Sequence, residues 1–300
     1  MKPKVSIITP SYNQGKYLEE TILSIINQRY TSIEYIVIDG GSTDNSLKII
    51  KKYADHIGYW ESKPDKGQAN AINKGFDKAS GDLICWINSD DILYPSFVEE
   101  MVELFNKNPK ADFIYRDVDQ GKNLTNKIPR KGKQTHFKQI TKTFRLPVPQ
   151  QGSMWRRKVL TEAGYLDEKW NVLLDREYFT RIFRYCRTLY QPGTVAFFRN
   201  HSHTKSIAEK HKWEKELLTY HKELFKENKY RLSSSLLKYH NHALINIYLM
   251  NYRSALEEGN ITKAKSYLHK AKKTYKILFL KYFYCTPYSE AFIKKIKRLL

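Results

Sequence analysis

Cys85-Trp86-Ile87-Asn88-Ser89-Asp90-Asp91 decides how the rest of the chain is read. An apolar run, Leu83-Ile84-Cys85-Trp86-Ile87, stops abruptly at Asn, Ser and two adjacent carboxylates. A buried strand running into Asp-Asp places both acids at the carboxyl edge of a sheet, where open α/β sheets bind their ligands. Two neighbouring carboxylates repel each other, and a cation relieves that repulsion. Oxygen ligands suit Mg²⁺ or Mn²⁺, ions that share their coordination with phosphate. The competing reading makes the stretch a polar cap for a helix starting near Pro95.

Working outward, strand and helix patterns alternate. Val5-Ser6-Ile7-Ile8-Thr9 reads as a buried strand, Pro10-Ser11-Tyr12-Asn13 as a turn, and Tyr17 to Gln28 as a helix with a stripe of Leu18, Ile22, Ile25 and Ile26. Ile33 to Ile38 is a second strand ending in Asp39-Gly40-Gly41-Ser42-Thr43-Asp44, before a helix over Ser46–Tyr53. Weaker signals place a strand at Ile57–Trp60 and a helix at Gln68–Lys78. Asp82–Ile87 is the central strand, Pro95–Asn106 a helix and Ala111–Val118 another strand. This order is that of a mostly parallel sheet with helical crossovers. Residues 119–142 are polar and Lys/Gly-rich without periodicity and are expected to be irregular. Short helices are expected at Arg156–Ala163 and Arg176–Tyr185, and a last strand at Val195–Phe198.

The 300 residues suggest one large domain with an appendage. After about Ala208 glycine thins out and helical spacing takes over. The division expected is a domain over 1–207 and an α-helical region over 208–300, with a break at Gly259-Asn260. Three distant cysteines, Cys85, Cys186 and Cys285, suggest neither a disulfide framework nor a zinc site, and point to a reducing compartment. No leader-like or membrane-spanning run is visible. The net charge of +21 implies a polyanionic partner without choosing between nucleic acid, anionic membrane and phosphorylated substrate.

Four motifs in order now stand together: Val5–Asn13, Ile36–Asp44, Asp65-Lys66-Gly67-Gln68-Ala69-Asn70-Ala71-Ile72-Asn73-Lys74-Gly75, and Trp86–Asp91. With the downstream Gln150-Gln151 and Asp175-Arg176-Glu177, they resemble the family 2 glycosyltransferases of GT-A fold over about residues 4–206. The resemblance implies a Rossmann-like α/β domain, an inverting displacement, a nucleotide-diphosphate sugar (most simply a UDP-sugar) and a divalent metal, Mn²⁺ or Mg²⁺.

It also implies roles. Asp39 accepts a hydrogen bond from the donor base, where the family often carries a second Asp at the position of Gly40. Thr9, Pro10 and Tyr12 lie against the nucleoside, and Asp65 and Gly67 belong to a loop over the nucleotide. Asn88 replaces the first acid of an Asp-x-Asp pattern, so that Asn88 and Ser89 contact the donor, Asp90 holds the metal and Asp91 orients the sugar or the loop. Restoring the acid, Asn88→Asp, is then expected to be tolerated. Asp175 is the candidate general base, with Glu177 as the competing assignment and helix capping as the structural alternative. Gln150, Gln151 and Trp155 line the acceptor side, although an aromatic such as Trp155 serves equally well in a core. His201, or its neighbour His203, completes the metal shell.

For such enzymes the acceptor is a glycan or a lipid-linked sugar in cell-surface polysaccharide or lipopolysaccharide synthesis. The expected location is cytoplasmic, peripheral at the inner face of the cell membrane. The Lys-rich tail, Lys294-Lys295-Ile296-Lys297-Arg298-Leu299-Leu300, suits an anionic surface. Two other classes compete. A nucleic-acid-binding protein is favoured by charge alone, with no recognisable nucleic-acid motif, so no nucleic-acid partner is expected. A catalytically inactive carbohydrate-binding relative is opposed by the retained Asp39, Asp90 and Asp175.

Overall fold

The computed structural model describes residues 2–140, 146–201, 204–205, 209–226, 244–245, 248–249, 251–253 and 255–282. By contact density the chain divides into two compact units, Met1–Thr141 with Leu146–Lys210, and Lys142–Arg145 with His211–Leu300. His203, most of the helix expected around Leu236–Ile247, and the basic C-terminal run lie outside the described residues.

The first unit is built on a nine-stranded, mixed but mostly parallel sheet. Its strands are β1 Val5–Ser11, β2 Ile33–Asp39, β3 Tyr59–Ser62, β4 Leu83–Trp86, β5 Ile92–Leu93, β6 Phe113–Asn123, β7 Asn126–Arg130, β8 Ser153–Arg156 and β9 Thr188–Arg199. The order is β3-β2-β1-β4-β8-β6-β9-β5, with β7 paired only to β6. Strands β3, β2, β1 and β4 are parallel, so their carboxyl ends share one edge. That register pairs Ser11 with Asp39 and Asp39 with Ser62. The helices are α1 Leu18–Ile26, α2 Ser46–Lys52, α3 Gln68–Lys78, α4 Phe97–Lys107, the single turns α5 Phe137–Ile140 and α6 Val159–Glu162, and α7 Leu174–Tyr185.

Strand β4 is buried on both faces, as central parallel strands are. Successive side chains alternate. Leu83, Cys85 and Ile87 join the core formed with α1 and α4. Trp86 turns to the other face, among Phe76 of α3, Trp155 of β8, and Tyr178 and Phe179 of α7, with centroids 5.3–6.3 Å away. Helix α3 approaches β1 so closely that a Cβ on Gly75 would lie 2.4 Å from Cγ2 of Ile8. Only glycine fits at that contact.

The expected elements form, with one correction. The segment read as irregular after Asp119 continues β6 and returns as β7. The Leu124-Thr125 turn is held by Asn123 Oδ1, which accepts from the Asn126 N–H at 2.8 Å and the Thr125 hydroxyl at 2.9 Å. This hairpin is exposed on both faces beyond Gly121, so it lacks the alternation that marks a half-buried strand.

The second unit contains most of helix Lys210–Lys226 and the helix Ile261–Tyr282. The break expected at Gly259-Asn260 is present. Gly259 has φ +70°, and Asn260 Oδ1 accepts the N–H of Lys263 at 3.0 Å, capping the second helix. Among the described residues no helix is long and apolar enough to cross a membrane.

Candidate active site

The parallel edge gathers the turns after β1, β2 and β4. Asp39 at the end of β2 is fully buried. Its Oδ2 accepts from the Ser42 N–H (2.9 Å) and the Ser62 hydroxyl (2.7 Å), and its Oδ1 from the Ser42 hydroxyl (2.5 Å). The carboxylate therefore ties the loop after β2 to β3. Asp44 caps α2 by accepting from the Ser46 N–H, and it also accepts from the Gly15 N–H, both at 2.9 Å. Thr9 and Pro10 are buried, with the Thr9 hydroxyl accepting from the Tyr35 hydroxyl at 3.2 Å. Tyr12 stands 61% exposed at the end of β1, free to stack on a flat ligand. Asp65 accepts the Gly67 N–H at 2.7 Å, and its carboxylate fills the space a Cβ on Gly40 would need, 2.9 Å away. Gly67 has φ +109° and open space around its Cα, a conformation that costs other residues strain.

Past β4 the chain turns sharply, with the Asp91 N–H reaching the Asn88 carbonyl at 3.1 Å. Asn88 is fully engaged as an amide. Its Oδ1 accepts from Gln68 Nε2 (2.8 Å), and its Nδ2 donates to Asp91 Oδ2 (3.1 Å) and Gln150 Oε1 (3.4 Å). A carboxylate at 88 could give neither donated bond, which bears directly on the expectation that Asn88→Asp is tolerated. Ser89 is buried beside it.

Asp91 is completely buried and accepts from the Arg199 N–H (2.9 Å), Gln151 Nε2 (2.8 Å) and Asn88. Burial pushes its carboxyl well above the usual range, and the charge of Asp90 adds to the rise. Asp91 thus organises the turn from within. Asp90 instead faces His201, with Oδ2 3.0 Å from Nε2, and the imidazole lies 4.5 Å from the ring of Tyr17. Gln150 Nε2 donates to the Trp86 carbonyl at 2.8 Å, so Gln150 and Gln151 brace the turn from below.

Asp175 lies in the first turn of α7, partly buried, with Oδ1 accepting the Arg176 N–H at 2.7 Å. Burial raises its pKa, opposed by the charges of Arg176 and Arg130. Phe179, one turn further along the same helix face, stacks on Trp86 at 5.8 Å and ties α7 to strand β4, which leads into the Asn88 turn. Two of the candidate residues are held by their surroundings here. Trp155 is wholly enclosed, 5.3 Å from Trp86 and 6.0 Å from Phe113 and Tyr178, so it belongs to the core and lines no acceptor surface. Glu177 is held by Arg181 at 2.7 and 2.9 Å, while Arg181 also binds the carbonyls of Ala163 and Tyr165. This i, i+4 ion pair engages both carboxylate oxygens of Glu177, whereas Asp175 has no such partner among the described residues.

Two further residues complete the site. Gln68, at the start of α3, joins Asn88 to Lys205, whose Nζ donates to Gln68 Oε1 at 3.2 Å. Arg199 clamps the turn to α1. Its Nε donates to the Asp90 carbonyl (2.9 Å), its Nη2 meets Glu20 (2.7 Å), and its guanidinium lies 5.0 Å from the ring of Tyr17. Among the described residues no three His, Cys, Asp or Glu side chains form a cluster able to hold a metal. The donor set available is the Asp90 carboxylate with the His201 imidazole.

Comparison with known proteins agrees with this architecture. An uncharacterized glycosyltransferase of Rickettsia typhi is 37% identical over 122 residues, 39% of this chain and 38% of that protein. The match therefore spans under two-fifths of that relative's length. One from Mycobacterium tuberculosis is 33% identical over 205 residues, 64% of this chain and 72% of the relative. Among solved structures, Staphylococcus aureus TarS 1–349 in complex with UDP-GlcNAc superposes with a TM-score of 0.56 at 15% identity, covering 90% of this chain and 92% of TarS 1–349. A Pyrobaculum calidifontis mannosyltransferase in complex with GDP-Man and Mn²⁺ gives 0.59 at 15% identity, covering 100% and 85%. These neighbours share the fold, an α/β domain of GT-A type. Residues 6–164 match the family described as "Glycosyl transferase family 2", and the chain belongs to that family.

Proposed function

We propose that this chain transfers a sugar, with inversion, from a nucleotide-diphosphate donor to a hydroxyl of a glycan or lipid-linked acceptor, in cell-surface polysaccharide or lipopolysaccharide synthesis. The observation that carries the reading is the convergence at one sheet edge of Asp39, the Asn88–Asp91 turn and the Asp90–His201 pair, with Asp175 anchored to the same strand through Phe179 and Trp86.

Asp39 and Tyr12 would take the base, and a UDP-sugar is the donor proposed. Asp65 and the open backbone at Gly67 would face the nucleotide. Asn88 and Ser89 would position the donor, with Asp91 orienting the turn. Asp90 and His201 supply one oxygen and one nitrogen to a divalent ion. Mn²⁺ and Mg²⁺ commonly take one or two protein ligands and fill the remainder with phosphate oxygens, so this sparse donor set fits them. When bound, such an ion neutralises charge on the leaving diphosphate.

Asp175 would remove the proton of the acceptor hydroxyl as the new glycosidic bond forms and the bond to the diphosphate breaks. A carboxyl raised by burial holds that proton better than an ordinary one. Gln150 and Gln151 fix the turn that the acceptor meets. The proposed partition is a catalytic domain over 1–207 and a helical region over 208–300, acting peripherally at the cytoplasmic face of the membrane.

A thermal-shift screen of UDP-, GDP- and dTDP-sugars with and without Mn²⁺ tests this. A ligand that binds the native state alone raises its midpoint. A shift with UDP-sugars that requires the metal is expected. No metal-dependent shift with any nucleotide sugar would sink the enzymatic reading, and a shift confined to GDP-sugars would overturn the base assignment.

A further inference from the structure

The hairpin of β6 and β7 projects a surface that the site does not use. Residues 120–133 carry Lys122, Lys127, Arg130, Lys131 and Lys133 and no acid. Lys127 folds back onto Asp119 (2.6 Å) and the Tyr94 hydroxyl (2.7 Å). Arg130 lies 5.6 Å from the ring of Phe198. Lys122, Lys131 and Lys133 are exposed and form no ion pair among the described residues. Between them Leu124 is 45% and Ile128 60% exposed.

The hairpin is also firmly shaped. A Cβ on Gly121 would lie 2.0 Å from the Asn126 carbonyl, so the two strands close tightly there, and Asn123 locks the turn. Apolar residues on a fixed turn carry little ordering cost on burial. A soluble polyanion would explain the lysines but leaves Leu124 and Ile128 in water. A bilayer interface takes both, with apolar side chains among the acyl chains and cations at the headgroups.

We infer that the β6–β7 hairpin docks this protein onto an anionic lipid surface, with Leu124 and Ile128 entering the interface, and with Lys122 near the turn and Lys131 and Lys133 just past β7 facing the headgroups. Alternation puts Ile128 and Arg130 on one face of β7. Arg130 is also the hairpin residue whose charge reaches Asp175. An acceptor held in the bilayer would then arrive on the side of the proposed base. The inference rests on the hairpin's own surface and adds to the transfer reading the partner that would present its acceptor.

Flotation of the full chain with vesicles of phosphatidylcholine alone, or with 30% phosphatidylglycerol (roughly a natural anionic fraction), tests it. Each cation at such a surface contributes about fivefold to binding, so the K122Q/K131Q/K133Q variant is expected to lose about 100-fold. L124S/I128S is expected to lose more than about tenfold. Both variants change exposed side chains, and unchanged melting midpoints verify their folding. Binding of either variant within twofold of the parent overturns the inference. So does equal binding of the parent to neutral and anionic vesicles, or binding to soluble polyphosphate without binding to vesicles. Metal-dependent donor shifts, measured on the same samples, report the transfer site separately, so the two readings can fail independently.

Discussion

Asn88→Asp is the substitution that separates the structure from the motif. In the motif it restores an acid and should do no harm. In the structure, Nδ2 of Asn88 donates to the buried Asp91 carboxylate at 3.1 Å and to Gln150 at 3.4 Å. An acid there loses both bonds and sets two carboxylates against each other. A lost hydrogen bond to a charged, buried partner costs about 1.5–3 kcal/mol. The repulsion at that separation, with an effective dielectric constant of about 20, reaches about 5 kcal/mol and is cut back when one acid takes up a proton. A net loss of about 2–4 kcal/mol follows. At roughly 2–4 °C per kcal/mol for a domain of this size, the melting midpoint should fall by about 5–15 °C in chelator. Added Mn²⁺ should recover part of that loss, because a cation offsets the extra charge. Differential scanning fluorimetry of parent and variant, each in EDTA and in Mn²⁺, makes the comparison. A variant as stable as the parent in EDTA would refute the reasoning and return Asn88 to a passive stand-in.

Asp90→Ala is expected to abolish sugar-dependent release of nucleoside diphosphate while leaving the EDTA melting midpoint unchanged or higher, since it removes a charge that burdens Asp91; near-normal turnover would overturn the metal assignment. For Asp175→Asn, kcat should fall by about 10²–10⁴-fold, with the thermal shift from donor and metal retained; loss of donor binding instead would make Asp175 a structural residue. Glu34 offers a pH test. Burial alone would raise its carboxyl, but the Lys4 ammonium, the Ser6 hydroxyl and Ser80 outweigh it and hold the group down to about 2. The folded value lies below the unfolded one, so the stabilisation is complete above roughly pH 4.3 and is lost as the pH falls towards 2. Because Lys4 is half exposed, about 1–2 kcal/mol is expected after screening. Glu34→Gln should therefore lower the urea midpoint at pH 7 and match the parent near pH 2; an equal deficit at both would refute the linkage.

The sheet and its edge were legible because both rest on local signals. Apolar runs stopped by Asp-Gly or Asn-Ser-Asp mark where strands end, and parallel order follows from the intervening helices. Trp155 was not legible, since a large aromatic looks the same in sequence whether it fills a core or faces a sugar. Gln68 and Arg199 were missed for a different reason. Their roles depend on partners 20 and 109 residues away, Asn88 and the Asp90 carbonyl, which only the tertiary fold brings near. The ion pair of Glu177 was legible from sequence alone, because Arg181 stands four residues on along a helix. The hairpin escaped because exposure on both faces erases periodicity, and the same lack of an inward face is what leaves Leu124 and Ile128 in the open.

The opening stretch also explains how two distant candidates come to share a site. Asn88 continues strand β4 two residues past Trp86, on the Trp86 side of the alternation. On that side lie the start of α3, whose Gln68 binds Asn88, and helix α7, whose Phe179 stacks on Trp86. The Asn88 turn and the helix that carries Asp175 are therefore both referenced to the same indole. Interiors packed at this density shift little as side chains move. The position of Asp175 relative to Asn88 is then set by aromatic packing, whereas the Asp90–His201 contact joins the turn to the residues just past β9.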